Sequence, residues 1–229
     1  MTARMIDIEG VDGAGKGTQA RRLHQRLTAE GYRSRLLGFP RYDATLFGQM
    51  AGEFLNGRYG GLDDVPPLFA ALLFAGDRLE SRDWLLSLMD EADVVVCDRY
   101  VASNIAHQGA KLDGADRTQL VERIERIEHD IHKLPRPDRT LLLDLPVPVA
   151  RELVGRKGAR DYTDKPADLQ ESNEPYLERV RAVYRELAAT RCGWSVVECV
   201  GASGIRSVEE IGDEIRAAIA DLVPLRTAE

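Results

Sequence analysis

Apolar residues fall in five short, nearly unbroken runs, at 4–8, 35–39, 94–97, 140–145 and 195–200. Unbroken rather than alternating runs are the signature of strands buried on both faces. Between them lie longer stretches with helical spacing, at 16–30, 46–55, 67–89, 115–134 and 167–190. Strand and helix in alternation predict βαβ units, hence an α/β fold in three layers: a five-stranded parallel sheet with helices on both faces. One domain, 1–229, accounts for the pattern. Ligands of such sheets bind beyond the carboxyl ends of the strands. The residues that follow each apolar run therefore carry the search for chemistry.

Some helices carry further detail. Pro66 and Pro67 suit the first turn of the helix at 67–89, whose Leu68, Leu72, Phe74, Leu79, Leu85 and Leu88 predict burial on several sides. The helix at 115–134 has one apolar stripe, Leu120, Ile124, Ile127 and Ile131, which packs either on the sheet or against a second copy of the chain. Pro175 disturbs the helix at 167–190, and Ser207 with Glu210 forms a capping box for the last helix.

The first run is followed by Glu9-Gly-Val-Asp-Gly-Ala-Gly-Lys-Gly-Thr18. Gly10, Gly15 and Lys16 have the spacing of a phosphate-binding loop. Glycines let the backbone wrap phosphate oxygens, amides and the helix N-terminus point inward, and Lys16 adds a full charge. Gly10, Asp12, Gly13, Ala14, Gly15, Lys16, Gly17 and Thr18 are thus the candidate ATP-phosphate site. Gly17 stands where a hydroxyl residue usually helps hold Mg²⁺, and the Gly-Lys-Gly-Thr-Gln run resembles the adenylate kinase form of the loop. Asp12 inside an anion loop is either a turn former or a contact to a second substrate.

Four further places stand at strand ends. Arg41 follows Phe39-Pro40 and is either a surface arginine or an anion ligand beside the loop. Phe74 and Arg78, four apart on one helix, could stack on and bond a base, although Phe74 alone reads as core. Asp98-Arg99 ends the third run and is either a structural ion pair or a carboxylate near Mg²⁺ beside a cation. Ser103, Asn104, His107 and Gln108 follow, and the two amides suit the edge of a base. Later, Arg151, Arg156, Lys157, Arg160 and Lys165 put five cations in fifteen residues. That is either a solvated turn or a short lid, about 151–167, closing over polyphosphate. A small-residue loop, Gly201-Ala202-Ser203-Gly204, is either a plain connection or a flat rest for adenine.

Composition narrows the class. With 38 acidic and 31 basic side chains the formal net charge is −7, which argues against a sequence-independent nucleic-acid binder but not against a local phosphate site. Hydrophobic residues make up 44%, enough for a sizeable core. No run approaches the ~20 apolar residues of a membrane span, and the N-terminus lacks a signal-peptide pattern. Cys97, Cys192 and Cys199 show no metal spacing, and a reducing cytoplasm fits them. Two anion sites bridged by a cationic lid imply phosphoryl transfer between two nucleotides.

The chain resembles the thymidylate (dTMP) kinases over nearly its whole length. The resemblance rests on Glu9–Lys16, Phe39-Pro-Arg41, Leu72-Leu-Phe-Ala-Gly-Asp-Arg78, Asp98-Arg-Tyr-Val-Ala-Ser-Asn104 and Gln108-Gly109. It implies a P-loop NTPase fold, usually homodimeric, that phosphorylates dTMP with ATP and Mg²⁺ by direct in-line transfer. It further implies that Phe74 stacks on thymine while Arg78 and Asn104 bond its edge. Arg41 and Arg99 hold the dTMP phosphate, and Asp12 reaches the sugar 3′-hydroxyl or the metal shell. Asp98 positions Mg²⁺. Because Gly13-Ala14 supplies no base inside the loop, Arg156 and Arg160 become the catalytic cations alongside Lys16 and Arg99. His107 stands where the family usually has a tyrosine that crowds the sugar 2′ position. Two rivals remain: another nucleoside monophosphate or deoxynucleoside kinase, and a nucleotide-gated binding protein without transfer activity.

Overall fold

A computed structural model describes residues 3–155 and 173–225. Five parallel strands form one sheet in the order β2-β3-β1-β4-β5: β1 (Arg4–Glu9), β2 (Ser34–Gly38), β3 (Val94–Asp98), β4 (Arg139–Asp144) and β5 (Trp194–Glu198). The three central strands are buried almost throughout, as their unbroken apolar runs require. The two outer strands, β2 and β5, mix buried and exposed residues because each has one neighbour only. Nine α-helices among the described residues connect and flank them: α1 (Lys16–Ala29), α2 (Leu46–Leu55), α3 (Pro67–Glu80), α4 (Arg82–Glu91), α5 (Val101–Gly109), α6 (Gly114–Glu125), α7 (Val147–Gly155), α8 (Glu174–Thr190) and α9 (Val208–Ala217). A two-residue hairpin, β6 (Val200–Gly201) with β7 (Gly204–Ile205), follows the sheet.

Each central strand ends on an acid at the carboxyl edge, one residue beyond or short of the apolar run. Glu9 accepts from the backbone N–H groups of Tyr100 and Ser103, both 2.9 Å away, and so anchors the start of α5. Asp144 accepts from Arg181 at 2.6 and 3.1 Å and from Arg185 at 3.0 Å, tying down α8. Asp98 faces the glycine loop. The strands thus supply both the core and the anchors that aim the helices at one edge.

Three expected helices are corrected. The stretch 67–89 is two helices divided at Ser81, a buried residue whose hydroxyl accepts from the Arg41 guanidinium at 3.1 Å. The stretch 115–134 is α6 followed by a π-helical turn, Arg126–Ile131. Leu120 and Ile124 enter the chain's own core, but Ile131 is 61% exposed and Glu128 is fully buried in its place. The extra residue of the wider turn rotates Glu128 inward, where it neutralises buried Arg78. An unpaired buried guanidinium would cost several kcal/mol, more than Ile131 loses by exposure. The last long helix begins at Glu174, with Pro175 in its first turn and Asn173 capping Tyr176 N at 3.0 Å, so proline disturbs nothing there. Of the expected lid, Arg151 ends up on α7 paired with Glu174, whereas 156–172 lie outside the described residues. The capping box of Ser207 and Glu210 is present.

One buried polar group has no place in this scheme. Asp7, in the middle of β1, is 1% exposed, and neither carboxyl oxygen has a hydrogen-bond partner among the described residues. Burial, then the neighbouring Glu9, pushes its pKa well above the usual carboxylate range. The folded protein therefore keeps the Asp7 proton after the unfolded chain has lost it, and stability falls as pH rises above the unfolded pKa of about 4. Replacing Asp7 with valine should raise the melting temperature by a few degrees at pH 7, equivalent to about 1–3 kcal/mol, with a smaller gain at pH 4.5. Calorimetry at the two pH values checks this; an equal gain at both, or a loss, contradicts it.

Candidate active site

Two cavities open side by side at the carboxyl edge of the sheet. One is lined by Gly13, Gly15, Lys16, Gly17, Arg21 and Asp98. The other is lined by Leu55, Phe74, Arg78, Ser103, Asn104, His107 and Gln108. Asp12, Phe39, Pro40, Tyr42 and Arg99 line both, so the two cavities share a wall.

The first cavity is built by the loop between β1 and α1. Gly13 and Gly15 both have φ of +90°, which favours glycine. At Gly13 a Cβ would also lie 2.2 Å from the Ala150 carbonyl, so the loop presses directly against α7. At Gly15 nothing lies within 4 Å of such a Cβ, which leaves the mouth of the loop open. Gly10 sits against the Leu143 carbonyl of β4, and Ala14 closes a turn onto Val11. Lys16 is folded over the loop, its Nζ 2.9 Å from the Val11 carbonyl and 3.9 Å from Asp12 Oδ1. Gly17 has a different reason: a Cβ there would lie 2.8 Å from Asp98 Oδ2. The Asp98 carboxylate thus stands over the first turn of α1, against the one residue with no side chain. Thr18 is exposed and lines neither cavity. Arg21, one turn further along α1, adds a cation that the sequence reading passed over.

The shared wall is an ion pair. Arg99 Nη2 contacts Asp12 Oδ1, and Nη1 donates to Ser103 Oγ at 2.9 Å. Arg99 has φ of +70°, a left-handed conformation that costs a non-glycine residue about 1–3 kcal/mol. The backbone is held there by the Arg99 N–H bond to the Ile8 carbonyl, 3.1 Å. Behind the pair, Glu9 accepts from Ser103 Oγ at 2.6 Å and from the Tyr184 hydroxyl at 2.7 Å. Glu9 and Tyr184 are positioning residues missed in the sequence; only the place of Glu9 in the loop motif hinted at one of them.

In the second cavity Phe74 is half-buried and meets Phe54 edge-on, with centroids 6.2 Å apart. Buried Arg78 donates through Nε and Nη2 to Glu128, the Nε bond being 2.9 Å. Asn104 donates both amide hydrogens, to the Ala71 carbonyl and to Glu128 Oε1, each 3.0 Å away. Both acceptors lack a proton to give, so the amide orientation is fixed and Oδ1 is left over. Among the described residues Oδ1 has no partner, and neither does either end of the Gln108 amide. Buried polar atoms are rarely left so; here they converge on one cavity. Glu128 was not foreseen, because its partners lie far away in the chain.

His107 is also determined. The Tyr176 hydroxyl donates to the His107 carbonyl at 2.9 Å, so its single proton is committed and His107 Nδ1 must donate to it across 3.1 Å. Nε2 is therefore the acceptor nitrogen. Burial, then Arg99, lowers the ring pKa to about 3, which keeps it neutral at physiological pH.

Some expected members stand apart. The Arg41 guanidinium lies 3.9 Å over the Trp84 ring and lines neither cavity. Its backbone N–H is held by Asp77 at 3.0 Å. Ala202 is exposed at the tip of the β6–β7 hairpin. Arg156 and Arg160 lie outside the described residues. Among the described residues no group of three or more His, Cys, Asp or Glu side chains could hold a metal.

The model of the thymidylate kinase family matches residues 8–211. Over 206 residues the chain is 37% identical to a thymidylate kinase of Mycobacterium tuberculosis, covering 84% of this chain and 90% of the relative. Over 228 residues it is 31% identical to a thymidylate kinase of Halorhodospira halophila, covering 98% of both. Among solved structures, the thymidylate kinase of Candida albicans superposes with a TM-score of 0.73 at 25% identity, covering 96% of this chain and 92% of that one.

The setting of Lys16 has a measurable consequence. Burial, then Arg99, lowers its pKa to about 8. A triphosphate prefers the charged ammonium, so the apparent Kd for ATP should be flat from pH 7 to 7.5. Above pH 8 it should rise by up to tenfold per pH unit, as the free lysine loses its proton. Isothermal titration between pH 7 and 9.5 checks this; a flat Kd across the range contradicts it.

Proposed function

The chain belongs to the thymidylate kinase family, and from that premise we propose that it transfers the γ-phosphoryl group of ATP to the phosphate of dTMP. The products are dTDP and ADP. The observation that carries the substrate is the edge presented by Arg78 and Asn104. Arg78 keeps one guanidinium nitrogen, Nη1, unbonded by Glu128, and Asn104 keeps Oδ1. A donor beside an acceptor matches thymine, whose O4 accepts and whose N3–H donates. Cytosine carries the reverse pair and sets donor against donor. Phe74 provides a ring face for the base, and Gln108 adds a free amide. Neutral His107 offers Nε2 as an acceptor for a sugar hydroxyl, and Asp12 offers a carboxylate on the same wall.

In the phosphate region, the amides of the Gly10–Thr18 loop and Lys16 hold the donor phosphates. Arg99, anchored by Ser103, takes the acceptor phosphate at the shared wall. Arg41 joins it by leaving Trp84 and Ser81. Arg156 and Arg160 are the further cations of the transfer, and adenine rests near Ala202. Transfer is direct and in line, and the protein's contribution is position and charge. The residues present fit Mg²⁺. Asp98 Oδ2 hangs over Gly17, in the place a position-17 side chain would fill, and Asp12 lies on the same cavity wall. One or two carboxylates with phosphate oxygens and waters are the usual shell of this ion. When bound, Mg²⁺ neutralises phosphate charge.

The outer face of α3 carries exposed Phe69, Leu72 and Leu79, which supports a homodimer formed through that face rather than through the helix at 114–125. No helix of the described residues is long and apolar enough to cross a membrane, and three free thiols support a reducing, cytoplasmic setting.

A steady-state assay with dTMP, dCMP, UMP and AMP tests the proposal. Two mispaired buried groups at about 1–3 kcal/mol each should put dCMP about thirtyfold or more below dTMP in kcat/KM. Turnover of dCMP or AMP as fast as dTMP defeats the substrate. ATP hydrolysis accelerated by no monophosphate favours the non-catalytic binding protein instead.

A further inference from the structure

The polarity of the base-binding edge is not set by Arg78 and Asn104 themselves. Asn104 could be turned to offer a donor instead of an acceptor, and Arg78 could present a different N–H of its fork. A guanidinium has five N–H donors in a fixed fork, and an amide presents either a carbonyl or an NH₂ group. What they offer depends on what lies behind them: one carboxylate behind Arg78, and the same carboxylate together with the Ala71 carbonyl behind Asn104. Glu128 Oε2 takes Arg78 Nε at 2.9 Å, and Oε1 takes both Arg78 Nη2 and, at 3.0 Å, Asn104 Nδ2. We infer that Glu128 is a specificity-determining positioning residue: by taking Arg78 Nε and Nη2 and one Asn104 amide hydrogen it leaves Arg78 Nη1 to donate and Asn104 Oδ1 to accept at the base. This rests on the reading that the cavity receives thymine.

Three observations carry the inference beyond an ordinary structural ion pair. First, Glu128 is buried completely, and it bridges two elements that line the cavity, α3 and α5. Second, the chain adopts an uncommon backbone to deliver it. The turn Arg126–Ile131 is π-helical, with His132 N bonding the Ile127 carbonyl at 2.8 Å and Leu134 N bonding the Glu128 carbonyl at 3.0 Å. The turn exposes Ile131 and buries an acid, an exchange that hydrophobic packing alone disfavours. Third, the groups left over are buried and unmatched. Asn104 is 3% exposed and its Oδ1 has no partner among the described residues. A carboxylate placed only for stability would not leave its neighbour's acceptor bare at a cavity wall.

Glutamine in place of Glu128 keeps the size and replaces one oxygen with an NH₂ group. That group confronts either an Arg78 N–H or the Asn104 amide. The lock on the amide is then reduced to the Ala71 carbonyl, and the edge can present donors to the base. Activity is read with dTMP and 5-methyl-dCMP, which differ only at this edge. The wild-type enzyme should favour dTMP about thirtyfold or more in kcat/KM. In Glu128→Gln the preference should fall by a factor of ten or more, carried mainly by KM for dTMP. Glu128→Asp keeps a group that only accepts but draws it back by one methylene; it should raise KM for dTMP and leave the preference within threefold of wild type.

If the wild-type enzyme does not discriminate, the thymine reading fails and the inference with it. If it discriminates and Glu128→Gln discriminates equally well, the thymine reading stands and the role of Glu128 is overturned. Should Glu128→Gln be too unstable to assay, Glu128→Asp decides: a fall in kcat with unchanged KM for dTMP, or a lost preference, overturns the inference. Melting temperatures of both variants separate the two effects, because a merely structural residue would lower stability while the preference stayed fixed.

Discussion

The Asp12 carboxylate lies between two cations that would otherwise repel each other. It contacts Arg99 and stands 3.9 Å from Lys16 Nζ. Arg99 is the second cause, after burial, of the lowered Lys16 pKa, and Asp12 acts against it. Asp12 therefore balances charge on both cations at once. It explains an acid inside an anion-binding loop. It also explains how a lysine on α1 and an arginine after β3 are held on either side of one carboxylate. Everything that positions those two cations, from the glycine conformations to the left-handed backbone of Arg99, serves that juxtaposition.

Around this centre the protein separates two kinds of buried polar group. Glu9 and Asp144 at the strand ends are fully engaged, and they fix α5 and α8 against the sheet. Asn104 and Gln108 are not, and both residues line the second cavity. The satisfied groups hold the scaffold, whereas a buried donor or acceptor left unpaired costs about 1–3 kcal/mol. Asp7 belongs to neither class: it lines a different cavity, at the start of β4 and β5, and contributes only a penalty to the folded state.

Much of this was legible in the chain. Unbroken apolar runs gave away the central strands because both faces of the sheet are covered. The glycine spacing gave away the loop because its conformations admit few other residues. The π-turn was not legible: Leu120, Ile124, Ile127 and Ile131 fit an ordinary helix, and only a partner fifty residues back, Arg78, reverses the choice between Ile131 and Glu128. The division at Ser81 was hidden for a similar reason, since the Arg41 guanidinium that its hydroxyl meets comes from the segment after β2. Nor does sequence say where a long side chain points: Arg41 lies at the expected strand end, yet its guanidinium rests on Trp84. Local pattern records backbone and burial, while long-range polar pairing decides the site.

The most direct measurement is phosphoryl transfer and nucleotide binding in Arg99→Ala. If Arg99 holds the acceptor phosphate and the Lys16 loop the donor, as proposed, single-turnover transfer from ATP to dTMP should fall at least a hundredfold. ATP affinity should change less than tenfold. Wild-type transfer in this variant, or a loss of ATP binding as large as the loss of transfer, would contradict the account.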